Sequence, residues 1–91
     1  MRYHIILSPR AAKELERLRK SGDKPCQTKL LQIFQELEEH PLTGTGKPEP
    51  LKRRINTYSR RLNGKDRIVY SVHDDIVEVH ILQILGHYED K

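Results

Sequence analysis

Apolar positions follow a helical period in the first half of the chain and a strand period in the second. Residues 3–7, YHIIL, are a short apolar, β-branched run and predict a strand. Ser8 and Pro9 follow as an N-cap and a proline at the first helical position. Ala11, Ala12, Leu15 and Leu18 recur at helical spacing, which predicts a first helix over residues 9–20, stopped by Ser21-Gly22-Asp23. Asp23 can cap a second helix with Pro25 in its first turn. Cys26, Leu30, Ile33, Phe34 and Leu37 form its apolar stripe. That helix should end before His40-Pro41, because a residue preceding proline disfavours the helical region.

Beyond residue 57 the period falls to two. Residues 58–63, 67–73 and 76–85 read as three strands, joined as hairpins by short turns at 64–66 and 74–75. Ile68, Tyr70 and Val72 face one way, and Arg67, Val69, Ser71 and His73 the other; Val77, Val79 and Ile81 oppose Glu78 and His80. One sheet face can then pack beneath the helices while the other stays more polar. The expected fold is α+β, of order β-α-α-β-β-β, with both N-terminal helices on one face of a small, mainly antiparallel sheet. A stiff basic connection should occupy residues 42–57, and Tyr3, Tyr58 and Tyr70 should be core or sheet-edge residues.

Ninety-one residues suffice for one domain over 1–91 and one small core. No apolar run approaches the roughly 20 residues of a membrane span, and the apolar part of the N-terminus is too short for a signal peptide. The single cysteine, Cys26, excludes an internal disulfide and suits a reducing compartment, so the expected address is the cytoplasm, with no membrane partner. Charge changes the picture more. Residues 47–67 hold eight bases against two acids, Glu49 and Asp66, a net +6 that leaves −2 for the rest of a chain whose total is +4. So local an excess suggests an anionic partner; the plain alternative is a solvated basic face.

Within that segment stands GTGKPEPLKRR, residues 44–54, where Glu49 is the only acid. Pro48 and Pro50 confine Glu49 to an extended or polyproline-like backbone and remove two amide donors. Its basic neighbours Lys47, Lys52, Arg53 and Arg54 surround the carboxylate with positive charge. Downstream, Arg60, Arg61 and Arg67 bring guanidinium groups, and GHYED at 86–90 brings an imidazole and a phenol. A carboxylate, fixed cations and a histidine are the parts needed to cleave RNA without metal. A base takes the 2′-hydroxyl proton, cations hold the pentacoordinate phosphate, and an acid protonates the departing 5′-oxygen. No metal is expected: His73, His80 and His87 are seven apart, a spacing that strand alternation does not converge on one ion, and no cysteine pair or H-x-x-x-H occurs. Phosphate-binding glycine patterns are absent too, since the Gly-Thr-Gly leads into Lys-Pro and a strand.

HPLTGTGKPEPLK, then SRRL, DRIVYSV and a terminal GHY, resemble the YoeB (Txe) toxins of bacterial type II toxin–antitoxin modules, in the RelE superfamily. The resemblance covers residues 40–88 and implies a RelE-like fold. It implies a toxin that enters the ribosomal A site and cuts the mRNA under translation, without metal or cofactor. It also implies a cognate antitoxin encoded in an adjacent reading frame and, in many members, a homodimer. Carried over by motif, Glu49 is the general base or an electrostatic element and His87 the general acid. Arg67 and Arg61 brace the phosphate, and Tyr88 positions the scissile nucleotide or assists proton transfer. Lys47, Lys52, Arg53, Arg54, Arg60 and Lys65 are the RNA-binding cations. The sequence departs from the pattern at Tyr58, near where an aromatic, often Trp, is usual, and at Asp66, which replaces a histidine and weakens the local positive charge. Glu89-Asp90-Lys91 follow the usual His-Tyr end. The rival readings are a ParE-like toxin that inhibits gyrase by binding and a basic nucleic-acid-binding module without activity.

Overall fold

In the computed structural model, which describes residues 2–44, 46 and 48–86, both helices begin on the expected caps. Ser8 accepts a hydrogen bond from the Ala11 amide at the start of α1 (Pro9–Ser21), and Asp23 accepts from the Cys26 amide at the start of α2 (Lys24–Glu39). Gly22, at φ 77°, closes α1, and α2 ends at His40, ahead of Pro41. The α2 stripe is buried as expected through Cys26, Leu30, Ile33 and Leu37, with Phe34 packed beside them. On α1 one position differs: Ala12 is exposed, and the carboxylate of Glu14 lies between Ala11 and Leu18 on the buried face.

The strands are β1 (His4–Leu7), β2 (Glu49–Pro50), β3 (Thr57–Arg61), β4 (Arg67–His73) and β5 (Glu78–Gln83). They form one sheet of order β1-β5-β4-β3-β2, in which only the β1–β5 pair is parallel. The parallel pair follows from the two intervening helices, which carry the chain across the sheet between β1 and the hairpins. Strand β2 was not expected. The stiff proline segment runs alongside β3, pairing Glu49 with Ser59 and Pro50 with Tyr58. The third and last strands are shorter than their apolar runs. The Leu62 and Asn63 amides both turn to the Asp66 carbonyl, and residues 74–77 form the β4–β5 turn, with Val77 at φ 54°.

The alternation in β4 is as expected: Ile68, Tyr70 and Val72 enter the core beneath the helices. In β5 the period slips. Val69 pairs with Gln83 but Tyr70 with Ile81, so Leu82 is the extra residue of a β-bulge. Val79 and Ile81 face the core before the bulge and Ile84 after it. Tyr58 stacks on Tyr70 with ring centroids 5.9 Å apart and packs against the core; Tyr3 packs there too. The opposite sheet face carries Ser59, Arg67, Ser71, His73 and His80.

Candidate functional site

Three adjacent strands build the site on the open sheet face. Glu49 on β2 lies opposite Ser59 on β3, Ser59 lies opposite Val69 on β4, and Arg61 lies opposite Arg67. Side chains of directly opposed residues share a face, so Glu49, Ser59, Arg61 and Arg67 converge although 18 residues separate the first from the last. The Arg67 guanidinium donates to Ser59 Oγ through Nε at 3.3 Å and Nη2 at 3.1 Å, and Nη2 reaches Glu49 Oε2 at 3.3 Å. Arg67 is largely covered, whereas 64% of the Glu49 side chain remains exposed. The carboxylate is therefore oriented by a held guanidinium and still open to a ligand. An ion pair this exposed adds little stability.

Glu49 and Arg67 line a cleft of about 350 Å³ with Lys29, Gly46 and Arg61. Three cations and one carboxylate give it a net positive field. Lys29 was missed in the sequence, where it reads as a surface residue of α2; the available signal was its place on the flank of the buried stripe. Gly46 forms the wall of the cleft. Its carbonyl accepts from the Arg61 amide at 2.9 Å, and a Cβ on it would meet the Arg61 carbonyl oxygen at 2.6 Å at a φ of 83°. The second glycine of GTG is thus needed so that the connection can run against β3 and deliver Glu49 to the cleft.

Not all the expected cations belong to this surface. Arg60 is wholly buried, which overturns its assignment as an RNA-binding residue. It lies opposite Ile68, on the helix side of β3. There it donates to Glu36 Oε1 at 2.7 Å, Tyr70 Oη at 3.1 Å and the carbonyls of His40 and Thr43 at 3.3 and 2.6 Å. It ties the start of the connection to α2 and β4. Lys52, Arg53 and Arg54 are exposed on the loop between β2 and β3, outside the cleft, above the buried Leu51. Lys65 sits on the β3–β4 turn and, with Arg10, Arg17 and Gly86, lines a second cleft of about 470 Å³. Lys47, His87, Tyr88 and the 89–91 tail lie outside the described residues.

Asp66 does not line the Glu49 cleft. It is buried in the β3–β4 turn, accepting from the Gly86 amide at 2.8 Å and from Asn63 Nδ2 at 2.9 Å. The histidine spacing also needs correction. Because residues 74–77 turn the chain back, His73 and His80 stand on neighbouring strands with ring centroids 4.2 Å apart. Their Nε2 atoms are engaged by Ser71 and Glu78 respectively, and among the described residues no group of three His, Cys, Asp or Glu is placed to hold a metal ion. No helix among these residues is long and apolar enough to cross a membrane.

Residues 10–88 match the family described as the YoeB-like toxin of bacterial type II toxin-antitoxin system. The toxin YoeB of Mycobacterium bovis is 35% identical over 69 residues, which are 75% of this chain and 79% of that one. The structure of the YoeB dimer from Staphylococcus aureus superimposes with a TM-score of 0.83 at 32% identity, covering 97% of this chain and 100% of that one. The YoeB–YefM complex from the same organism gives 0.78 at 31%, with the same coverage.

Proposed function

Since this chain belongs to the YoeB-like toxins of bacterial type II toxin–antitoxin systems, we propose that it is a metal-independent endoribonuclease that cuts mRNA in the ribosomal A site. The observation that carries the reading is the Arg67 guanidinium held between Ser59 and Glu49, with Arg61 and Lys29 in the same cleft. Such a cleft accepts an anionic phosphodiester and concentrates fixed positive charge where the transition state gains negative charge. Glu49 removes the proton from the ribose 2′-hydroxyl, and that oxygen attacks the adjacent phosphorus. Arg67 and Arg61 hold the pentacoordinate phosphate. His87 gives a proton to the departing 5′-oxygen, leaving a 2′,3′-cyclic phosphate and a free 5′-hydroxyl. Tyr88 positions the nucleotide, and Lys47, Lys52, Arg53, Arg54 and Lys65 add to the field that attracts RNA. DNA lacks the attacking hydroxyl and is not a substrate for this step.

A relative from Staphylococcus aureus occurs as a dimer and in complex with YefM. By the same family relation this chain pairs with a cognate antitoxin and forms a homodimer. The test is cleavage of ribosome-bound mRNA by the wild type and by Glu49→Gln, Arg67→Ala and His87→Ala. Discrete cuts with cyclic-phosphate ends are expected from the wild type, with losses of roughly 100-fold or more in each variant. Intact transcripts with DNA damage in toxin-expressing cells would instead favour gyrase inhibition.

A further inference from the structure

Beyond the end of β5, three consecutive backbone amides are held by two carboxylates from distant parts of the chain. Ile84 and Leu85 both donate to Glu14 Oε1, at 2.8 and 3.1 Å, and Gly86 donates to Asp66 Oδ1 at 2.8 Å. The carbonyls are tied as well. Leu85 accepts from Arg10 Nη2 at 3.4 Å, and Gly86 accepts from the Arg67 amide at 3.0 Å and Gln83 Nε2 at 3.1 Å. Gly86 adopts φ 113°, which an L side chain rarely takes.

The sheet does not require this arrangement. Strand β5 has ended at Gln83, so the amides of 84–86 have no ladder partner, and the buried Ile84 amide needs an acceptor from the protein. Glu14 is only 7% exposed and Asp66 8%. An ionised carboxylate at such a position is costly to dehydrate unless donors replace the water. The helical period would also place an apolar side chain at position 14. Both carboxylates are therefore committed to the path of three residues that pack nothing larger than Ile84 into the core. In sequence, that path continues directly into His87. The same Arg67 whose guanidinium faces Glu49 holds the Gly86 carbonyl through its main chain, so the cleft and the C-terminal segment share one strand.

We propose that Glu14 and Asp66 are positioning residues for the C-terminal pair His87 and Tyr88, acting through the backbone of 84–86 that they hold beside Arg67. The inference rests on the catalytic role proposed above for His87. Loosening the backbone at 84–86 displaces the acid without touching the phosphate cleft, so it reduces the rate of the chemical step and spares substrate binding.

The experiment measures single-turnover cleavage of ribosome-bound mRNA by Glu14→Leu and Asp66→Ala, each also made in the His87→Ala background. Each single variant should lose on the order of 10–100-fold in rate with half-saturation unchanged. In the His87→Ala background the same changes should cost almost nothing more, because they act through the residue already removed. Glu14→Gln and Asp66→Asn keep an acceptor oxygen and should recover most of the rate. An equal loss with and without His87, or full activity in the folded Leu and Ala variants, overturns the positioning role. Should those variants fail to fold, amide exchange in the wild type decides: protection of 84–86 comparable with β5 is expected, and exchange at random-coil rates overturns the anchor. A wild type that cuts no mRNA refutes the nuclease reading itself, and that result is visible before any variant is compared.

Discussion

Arg60 and Arg61 leave β3 on opposite faces, and their consequences should be opposite too. Arg60 lies in the core with Glu36 and two backbone carbonyls as acceptors. Arg60→Met removes the buried guanidinium that donates to Glu36, Tyr70 and two backbone carbonyls and frees the connection, so it should lower unfolding stability by about 3–5 kcal/mol in urea titration. Arg61→Ala removes an exposed cation from the cleft. It should leave stability within about 0.5 kcal/mol and reduce RNA cleavage roughly 100-fold. A small stability loss at position 60, or a large one at 61, contradicts this division. In SRR as a string of letters the two arginines are equivalent; the two-residue period of β3 distinguishes them, and it becomes decisive only once the helix-facing side of the strand is known.

At the scale of elements, the connection 42–57 is the part least like its expectation. A stiff proline-bounded segment was expected as a plain connection, whereas Glu49-Pro50 lies against β3 as a two-residue strand. Close approach at Gly46 makes this possible. Gly46→Ala would place a methyl group against the Arg61 carbonyl oxygen, and backbone cannot yield there without moving β3 or the connection. The variant should remain folded, since helices and hairpins do not depend on that contact, yet cleave at least 10-fold more slowly because Glu49 leaves its place beside Arg67. Circular dichroism and the ribosome cleavage assay together check both halves of that expectation. The capped helices and the β4 alternation were legible residue by residue because caps and periodicity are local properties. Strand β2 and the Leu82 bulge were not, because each exists only through pairing with a neighbour distant in sequence or across the hairpin.

At the scale of the whole molecule, the buried carboxylate of Glu14 links stability to pH. Burial pushes the Glu14 carboxyl up, but the Ile84 and Leu85 amides and the Arg10 guanidinium outweigh it and hold the group below the usual carboxylate range. Its folded form therefore binds fewer protons than its unfolded form in that range, and its contribution to stability is lost as pH falls through the folded value. The thermal midpoint should drop on acidification below about pH 4, and Glu14→Gln should flatten that dependence while lowering the midpoint at neutral pH. An unchanged acid slope in the variant would remove Glu14 from the account.

By itself the sequence determined the helices, their caps, the core stripes, the hairpin order and the inventory of chemistry in residues 47–67, because these depend on neighbours within a few positions. It also carried the family resemblance, through motifs that remain contiguous in the chain. Tertiary structure alone decided which cations meet Glu49. It turned Arg60 inward, brought Lys29 from α2 to the cleft, paired His73 with His80, and committed Glu14 and Asp66 to the backbone of 84–86. Each of these outcomes depends on which face of one element meets which face of another, and the physical reason is that strand register and the docking of helices on the sheet are set by long-range packing, while the local pattern constrains only the period.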